Sequence, residues 1–451
     1  MTRSRGDATD RKTLRVEARV VSALRPCRNN ARLHSRRQIH QIASSIREFG
    51  FNNPVLIDKN DEIIAGHGRV EAAKLLGLER VPCIRIEHLS DEQKRAYILA
   101  DNKLALNAGW DPEILAIELQ HLSSLDLSFD LEITGFETAE IDALIDSRKD
   151  VARPDDAADL VPPVRERAIS RPGDLWILGD HKLLCADARE PSSYTMLLER
   201  KARVCFTDPP YNVKIDGNVC GLGSVRHREF AIASGEMTER EFANFSQLIF
   251  RNMSEASVEG AIHFICMDWR HVGEIISAGK LVYSTLKNLC VWNKTNGGMG
   301  SFYRSKHELI FVFKVGNAPH INTIELGKSG RYRTNVWDYA GVNTFGRNRN
   351  EGLSVHPTVK PVALVCDAIK DCSRRGDIVL DAFSGSGTTI LAAERCRRHA
   401  RVIEIDPLYV DVAVRRWEKF TGRSALAAQS GRPFSELACE RDPSQASERS
   451  P

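Results

Sequence analysis

The chain has 451 residues, and its 63 basic and 60 acidic side chains leave a formal charge of +3. With 42% hydrophobic and 27% charged residues, it reads as a globular chain of two or three domains. The near-neutral sum gives no general affinity for polyanions, no apolar run reaches the roughly 18 residues of a spanning helix, and the start lacks the apolar core of a secretory leader.

The simplest expectation is therefore a cytoplasmic protein with no membrane partner. The eleven cysteines include no CxxC pair, which argues against a zinc ribbon or a thioredoxin-type centre. They read as reduced thiols, many of them in apolar runs. No metal-ligand cluster is visible.

Residues 1–13 are polar and expected to be disordered. Residues 1–40 hold ten Arg and one Lys against three acids, a local charge of +8. Such an arm suits phosphate backbone, or is simply a solvated tail. A first domain spans 14–148. Residues 39–50 carry apolar side chains at helical spacing, and Gly50 ends them as a helix cap. Residues 54–58 and 62–65 read as a hairpin, 70–77 as a helix, 81–86 as a strand, and Ser90 as the cap of a further helix.

Residues 149–164 are rich in Pro, Asp and Ala, as linkers are. A second domain is expected over 165–423, and 424–451, without apolar periodicity, as a disordered tail. Short apolar runs at 204–206, 261–266, 289–292, 309–313, 377–381 and 401–406, with a helical stretch at 389–395, predict an α/β sheet with helices on both faces.

Two segments carry chemistry. Asp381-Ala382-Phe383-Ser384-Gly385-Ser386-Gly387-Thr388 follows a strand and opens a helix. Its glycines let a ligand approach the backbone at the strand's carboxyl end, and Glu404, closing the next strand, is placed to accept from two ribose hydroxyls. Asp208-Pro209-Pro210-Tyr211 follows another buried strand. The prolines fix the loop. Asp208 and the Pro209 carbonyl can hold an exocyclic amine by both its protons, and Tyr211 offers a ring face for a base.

With these two loops the sequence resembles the S-adenosylmethionine-dependent amino-methyltransferases of DNA, whose hallmarks are a phenylalanine–glycine–glycine cofactor loop and an (Asp/Asn/Ser)-Pro-Pro-(Tyr/Phe/Trp) catalytic loop. The catalytic loop comes first, 175 residues ahead of Phe383, which is the order of the β class. The resemblance implies a Rossmann-like methyltransferase sheet and a recognition region between the loops, about 214–355, where Arg304, Lys306, Arg331, Arg333, Arg347 and Arg349 are candidates for DNA contact. It also implies a cofactor-side role for Asp187, for Thr358 and Lys360 in His356-Pro357-Thr358-Val359-Lys360-Pro361, and for Asp381.

The activity so implied is methyl transfer to adenine N6 in double-stranded DNA by base flipping and direct displacement. In this family Asp at the first catalytic position favours adenine; cytosine N4 stays open. Residues 35–110 resemble the small α+β ParB-like (ParB/sulfiredoxin) domain, through residues 46–58 and 66–77. Gly66-His67-Gly68-Arg69 there can form an anion nest for DNA or nucleotide.

ParB partition proteins carry two successive arginines at this segment and bind CTP. Here Val70 stands in place of the second, which weighs against nucleotide turnover. The sulfiredoxin cysteine is absent, since Gly66 precedes His67. CTP and a second copy of the chain remain candidate partners, and a mainly DNA-binding, partition-type protein is the alternative to an enzyme. The fusion looks like phage or prophage modification enzymes, and with no nuclease domain evident it reads as a solitary methylase.

Overall fold

The computed structural model describes all residues except 1–13, 126, 147–155, 214–232, 296, 298–301, 325–332, 342–358 and 443–451. The expected disorder of residues 1–13 lies outside the described residues. The chain divides into two compact units, Met1–Lys149 and Asp150–Pro451.

In the first unit, β1 (Val16–Val20), β2 (Val55–Ile57), β3 (Ile63–Ala65) and β4 (Arg80–Arg85) form a sheet of order β1-β4-β2-β3. Helix α1 (Arg36–Phe49) is capped by Ser35 and stopped by Gly50 at φ 85°. Helix α2 (His67–Leu75) starts from Gly66 in the left-handed region, and α3 (Asp91–Asn107) starts from a Ser90–Gln93 capping box. Val55, Ile57, Val70, Ala73 and Cys83 close the core of this unit. Strand β1 has no sequence signal of its own; its partner β4, antiparallel along its length, holds it. Helices α4 (Pro112–Ser124) and α5 (Thr138–Asp146) pack their own small cluster around Leu119, Leu131 and Ile141.

The second unit contains α6 (Asp156–Asp159), β5 (Leu175–Leu178), β6 (His181–Cys185), α7 (Pro191–Leu197), β7 (Ala202–Thr207), α8 (Glu239–Glu255), β8 (Ser257–Met267), α9 (Val272–Val282), β9 (Thr285–Asn293) and β10 (His307–Lys314). It continues with β11 (Val336–Asp338), α10 (Val362–Asp371), β12 (Ile378–Asp381), α11 (Thr388–Cys396), β13 (His399–Glu404), α12 (Pro407–Thr421), β14 (Leu426–Ala427) and α13 (Phe434–Arg441). The sheet order is β11-β9-β10-β8-β7-β12-β13-β6-β5-β14. Strands β6, β13, β12, β7 and β8 are parallel neighbours, and β10 runs antiparallel beside β8.

Alternation along the strands divides the core between the two faces. Val204, Phe206 and Leu183 pack with α10, α11 and α12. Cys205, Leu184 and Leu380 pack on the other side with α8 and α9. This is the predicted α/β sheet covered on both faces, with a ParB-like α+β unit before it.

Two expectations need correction. Residues 156–159 are not free linker: Ala158 is fully buried, and Asp159 Oδ1 accepts from Val362 N at 3.0 Å, capping α10. Residues 424–442 are not a disordered tail. β14 pairs with β5, and Phe434, Leu437 and Ala438 enter the core. The stretch is too short for periodicity to reveal it, but the β5 edge gives its backbone partners. The region between the two loops, expected to hold DNA recognition, also supplies β8, β9 and β10 to the sheet and α8 and α9 to one face of it. Among the described residues, no helix is long and apolar enough to cross a membrane.

Candidate active site

Four strand ends meet at one edge of the sheet. Cys185 of β6 lies opposite Glu404 of β13, Asp381 of β12 opposite Val402, and Leu380 opposite Cys205 of β7. The loops leaving β6, β7, β12 and β13 therefore emerge together at the carboxyl edge, where open α/β sheets hold ligands. Thr207 Oγ1 donates to Asp381 Oδ1 at 2.9 Å, a bond that joins the base of the Asp208 loop to the base of the glycine loop.

In the glycine loop, Asp381 also accepts from Phe383 N at 3.0 Å and from Thr389 Oγ1 at 2.6 Å. Burial still pushes its carboxyl up to about 6. Glu404 accepts from Gly385 N at 2.7 Å and from Asp406 N at 2.9 Å, and burial raises it to about 7. Gly387 has φ 84°, and a Cβ there would sit 2.8 Å from Ala413 Cβ, so α12 packs against this turn only because the position is glycine. Phe383 is half-buried beside Phe245.

Ser386 and Thr388 are held from behind. Arg416 of α12 donates to Ser386 O and Oγ and to Thr388 Oγ1, and to the Ala158 carbonyl. Ser384 Oγ is buried without a hydrogen-bond partner. A buried hydroxyl left unpaired costs free energy, and with two buried carboxyls beside it this loop fits a polar nucleoside ligand. Asp187, just past β6, is gripped by the Arg189 guanidinium at 2.6–3.1 Å. Burial works against its ionisation, but those bonds win and hold its pKa low.

The catalytic-loop candidates form a second cluster. Pro209 is buried, Pro210 half-buried. Tyr211 Oη donates to Asp208 Oδ1 at 2.7 Å and lies 3.2 Å from Glu308 Oε2. Lys360 Nζ lies 2.5 Å from Asp208 Oδ2, 2.9 Å from Glu308 Oε2 and 3.4 Å from Tyr211 Oη. Lys294 pairs with the other Glu308 oxygen and sits 4.6 Å from the Trp292 ring centre. Burial, opposed by Lys360 and aided by Glu308, raises Asp208. Burial would raise Glu308 too, yet two lysines overcome it and take it down to about 2. Asn212, at φ 52°, ends the loop and ties it to Gly235 and Met237 through its side-chain amide.

Sequence reasoning missed Glu308, Lys294, Thr207, Thr389, Asn212 and Arg416. Asn212, directly after Tyr211, carried a local signal as a residue type that tolerates positive φ. Lys360, expected on the cofactor side, instead has its ammonium engaged by Asp208 and Glu308. Thr358, Arg331, Arg347 and Arg349 lie outside the described residues. Arg304 and Lys306 are exposed. Arg333 is not a DNA contact: it is mostly buried, 2.9 Å from Asp371 and 3.2 Å from Asp367, and donates to Tyr339 Oη.

In the first unit, Gly66 has φ 102°, and a Cβ there would meet Arg69 Nη2 at 2.9 Å. Arg69 donates to Asn53 O, and His67 Nε2 accepts from Cys27 N at 3.2 Å. A Cβ on Gly68 would touch His34 and Ile42. Among the described residues there is no cluster of three metal-ligating side chains.

A DNA methylase family model matches residues 202–415, a ParB N-terminal domain model residues 6–103, and a ParB-methyltransferase HTH domain model residues 113–172. The ParB-like nuclease domain-containing protein YnaK of Escherichia coli (strain K12) is 50% identical over 82 residues, 18% of this chain and 94% of that protein. The type II methyltransferase M.HpaI of Haemophilus parainfluenzae is 25% identical over 264 residues, 55% of this chain and 77% of that enzyme. Among solved structures, the M1.HpyAVI-SAM complex covers 52% of this chain and 97% of its own at 21% identity, with a TM-score of 0.39. The chain carries a DNA methylase domain of the N6/N4 type over residues 202–415, and ahead of it a domain of the ParB N-terminal family over residues 6–103.

Proposed function

We propose that this chain transfers a methyl group from S-adenosylmethionine to the N6 amine of adenine in double-stranded DNA. The observation that carries this reading is the Thr207–Asp381 hydrogen bond, which sets the Asp208 loop and the glycine loop side by side at one sheet edge. Asp381, Ser384, Gly385 and Glu404 would hold the cofactor, with Glu404 facing its ribose hydroxyls. Bound there, S-adenosylmethionine supplies an electrophilic methyl carbon.

The residues of the chain do the rest. Asp208 and the Pro209 carbonyl accept the two amine protons, which turns the nitrogen lone pair out of the ring plane. Tyr211 stacks against the everted base. As nitrogen bonds the methyl carbon, the carbon–sulfur bond breaks, and the surplus proton on nitrogen has Asp208 as its nearest base. Asp208's raised pKa suits that task.

The test is expression in a host without DNA methylation of its own, followed by nucleoside analysis and mapping of the modified sites. N6-methyladenine is the expected product; N4-methylcytosine would move the target to cytosine; neither would remove the enzyme reading. For the first unit we infer an anion site at Gly66–Arg69, where left-handed Gly66 opens α2 and Arg69 folds across it. CTP and short duplex DNA, each titrated against the full chain and against Arg69→Ala, are the probes. Equal binding by the two proteins would place any such ligand elsewhere.

A further inference from the structure

The connection between β9 and β10 carries, just ahead of β10, two aromatic side chains that the fold does not use. Phe302 is 94% exposed and Tyr303 78%. Isolated exposed apolar residues are ordinary. This pair differs in three respects. Phe302 has φ 61°, a left-handed conformation that a bulky L residue adopts at a cost. Tyr303 meets it edge to face, with ring centres 4.6 Å apart and planes at 85°, so each ring limits the other's movement. The connection that carries the pair is also rooted at the Asp208–Glu308–Lys360 cluster. Lys294 N donates to Lys306 O at 2.9 Å and closes the base of the hairpin, and Glu308, two residues on, contacts Lys360 and Tyr211.

The flanking charge fits a polyanion. Arg304 and Lys306 are exposed on the same hairpin, and neither is needed by the core. Proteins that open a duplex pair apolar wedges between base steps with cations on the adjacent phosphates.

We propose that Phe302, braced by Tyr303, enters the duplex at the position the target base leaves and so holds that base in the catalytic pocket. This rests on the reading of the chain as a base-everting DNA methyltransferase. The wedge acts on the equilibrium between stacked and everted base, not on the reacting atoms. Its loss is therefore felt when eversion is costly and is masked when the base is already unpaired.

The experiment uses the full chain, Phe302→Ala, and Phe302→Trp as the conservative variant. The substrates are a duplex carrying the site mapped in host DNA and the same duplex with an abasic position opposite the target base. On the matched duplex, Phe302→Ala should turn over about tenfold more slowly, while on the abasic-opposed duplex it should come within about threefold of the parent. Phe302→Trp should stay near parent on both. With 2-aminopurine as the target base, binding of the parent should raise fluorescence, and Phe302→Ala should lose most of that rise. An unchanged rate on the matched duplex overturns the wedge, and so does an equal loss on both duplexes. A parent inactive on both removes the methyl-transfer reading and the wedge with it, whereas an active parent separates the two.

Discussion

Lys360 Nζ bridges Asp208 Oδ2 and Glu308 Oε2, at 2.5 and 2.9 Å. The lysine is only 4% exposed, and burying an ammonium costs several kcal/mol unless it is paired. Two carboxylates meet that cost and keep it charged, its pKa raised by Asp208 and Glu308 in spite of burial. In this arrangement Lys360 orients the carboxylate that would receive the amine. Lys360→Met should lower kcat on the order of 100-fold, the usual effect of removing one preorganised electrostatic contact. Cofactor affinity, read by calorimetry, should stay within about threefold. A large loss of cofactor affinity with normal kcat would place the ammonium's work on the cofactor instead.

Glu308 gives a prediction about pH. Asp208 acts as an acceptor when ionised, so activity falls as pH drops through its pKa. Burial is the main reason that pKa is raised, and the Glu308 charge adds to it. Glu308→Gln removes this addition and leaves Lys360 to Asp208 alone. Both changes favour the carboxylate, so the acidic limb of the kcat profile should move to lower pH. The plateau should also fall, because Tyr211 and Lys360 lose a positioning partner. A limb that moves up, or does not move, would contradict the shared-lysine arrangement.

Glu404 titrates near 7 because it is buried. Ribose hydroxyls donate to its ionised form, so cofactor affinity should be roughly tenfold weaker at pH 6 than at its alkaline plateau. Glu404→Gln should bind weakly with little pH dependence between 6 and 8. The sign for stability is opposite. A carboxyl raised in the folded state favours folding below its unfolded pKa, near 4.5, and loses that contribution as pH rises through about 7. The ligand-free protein should therefore lose thermal stability between pH 5 and 7.5, and Glu404→Gln should flatten that slope in a melting series.

The parts of the site that sequence makes legible are local. Asp208-Pro209-Pro210-Tyr211 and residues 381–388 each follow an apolar run and announce a strand end. What joins them depends on sheet order, which brings β7 beside β12 although Thr207 and Asp381, the end of that second strand, are 174 positions apart. Glu308 sits in a run that reads as plain strand, and its meeting with Lys360, 52 positions further on, is a tertiary contact that no local pattern marks. Arg304 and Arg333 look alike as sequence. One is exposed on a hairpin, and the other is neutralised by Asp367 and Asp371 of α10. Charge can be read along a chain, but its burial is decided by partners far away in it.

Arg416 shows the same limit and gives a further prediction. On α12 it resembles a solvated arginine of an amphipathic helix, yet it is 2% exposed. Burial presses its pKa down to about 10, still charged at neutral pH. Its guanidinium spans two segments, taking the Ala158 carbonyl with Nε and Nη2 and the Ser386 and Thr388 oxygens with Nη1. Arg416→Leu leaves those buried acceptors without donors and should cost about 3 kcal/mol, a fall in Tm of roughly 5 °C for a unit of this size. Because Ser386 and Thr388 belong to the glycine loop, cofactor affinity measured well below the new Tm should weaken as well. Arg416→Lys keeps the charge but not the planar fork, so it should recover part of the stability and little of the affinity. If Arg416→Leu melts early but binds cofactor as the parent does, the guanidinium is a structural tie and the loop holds its shape without it.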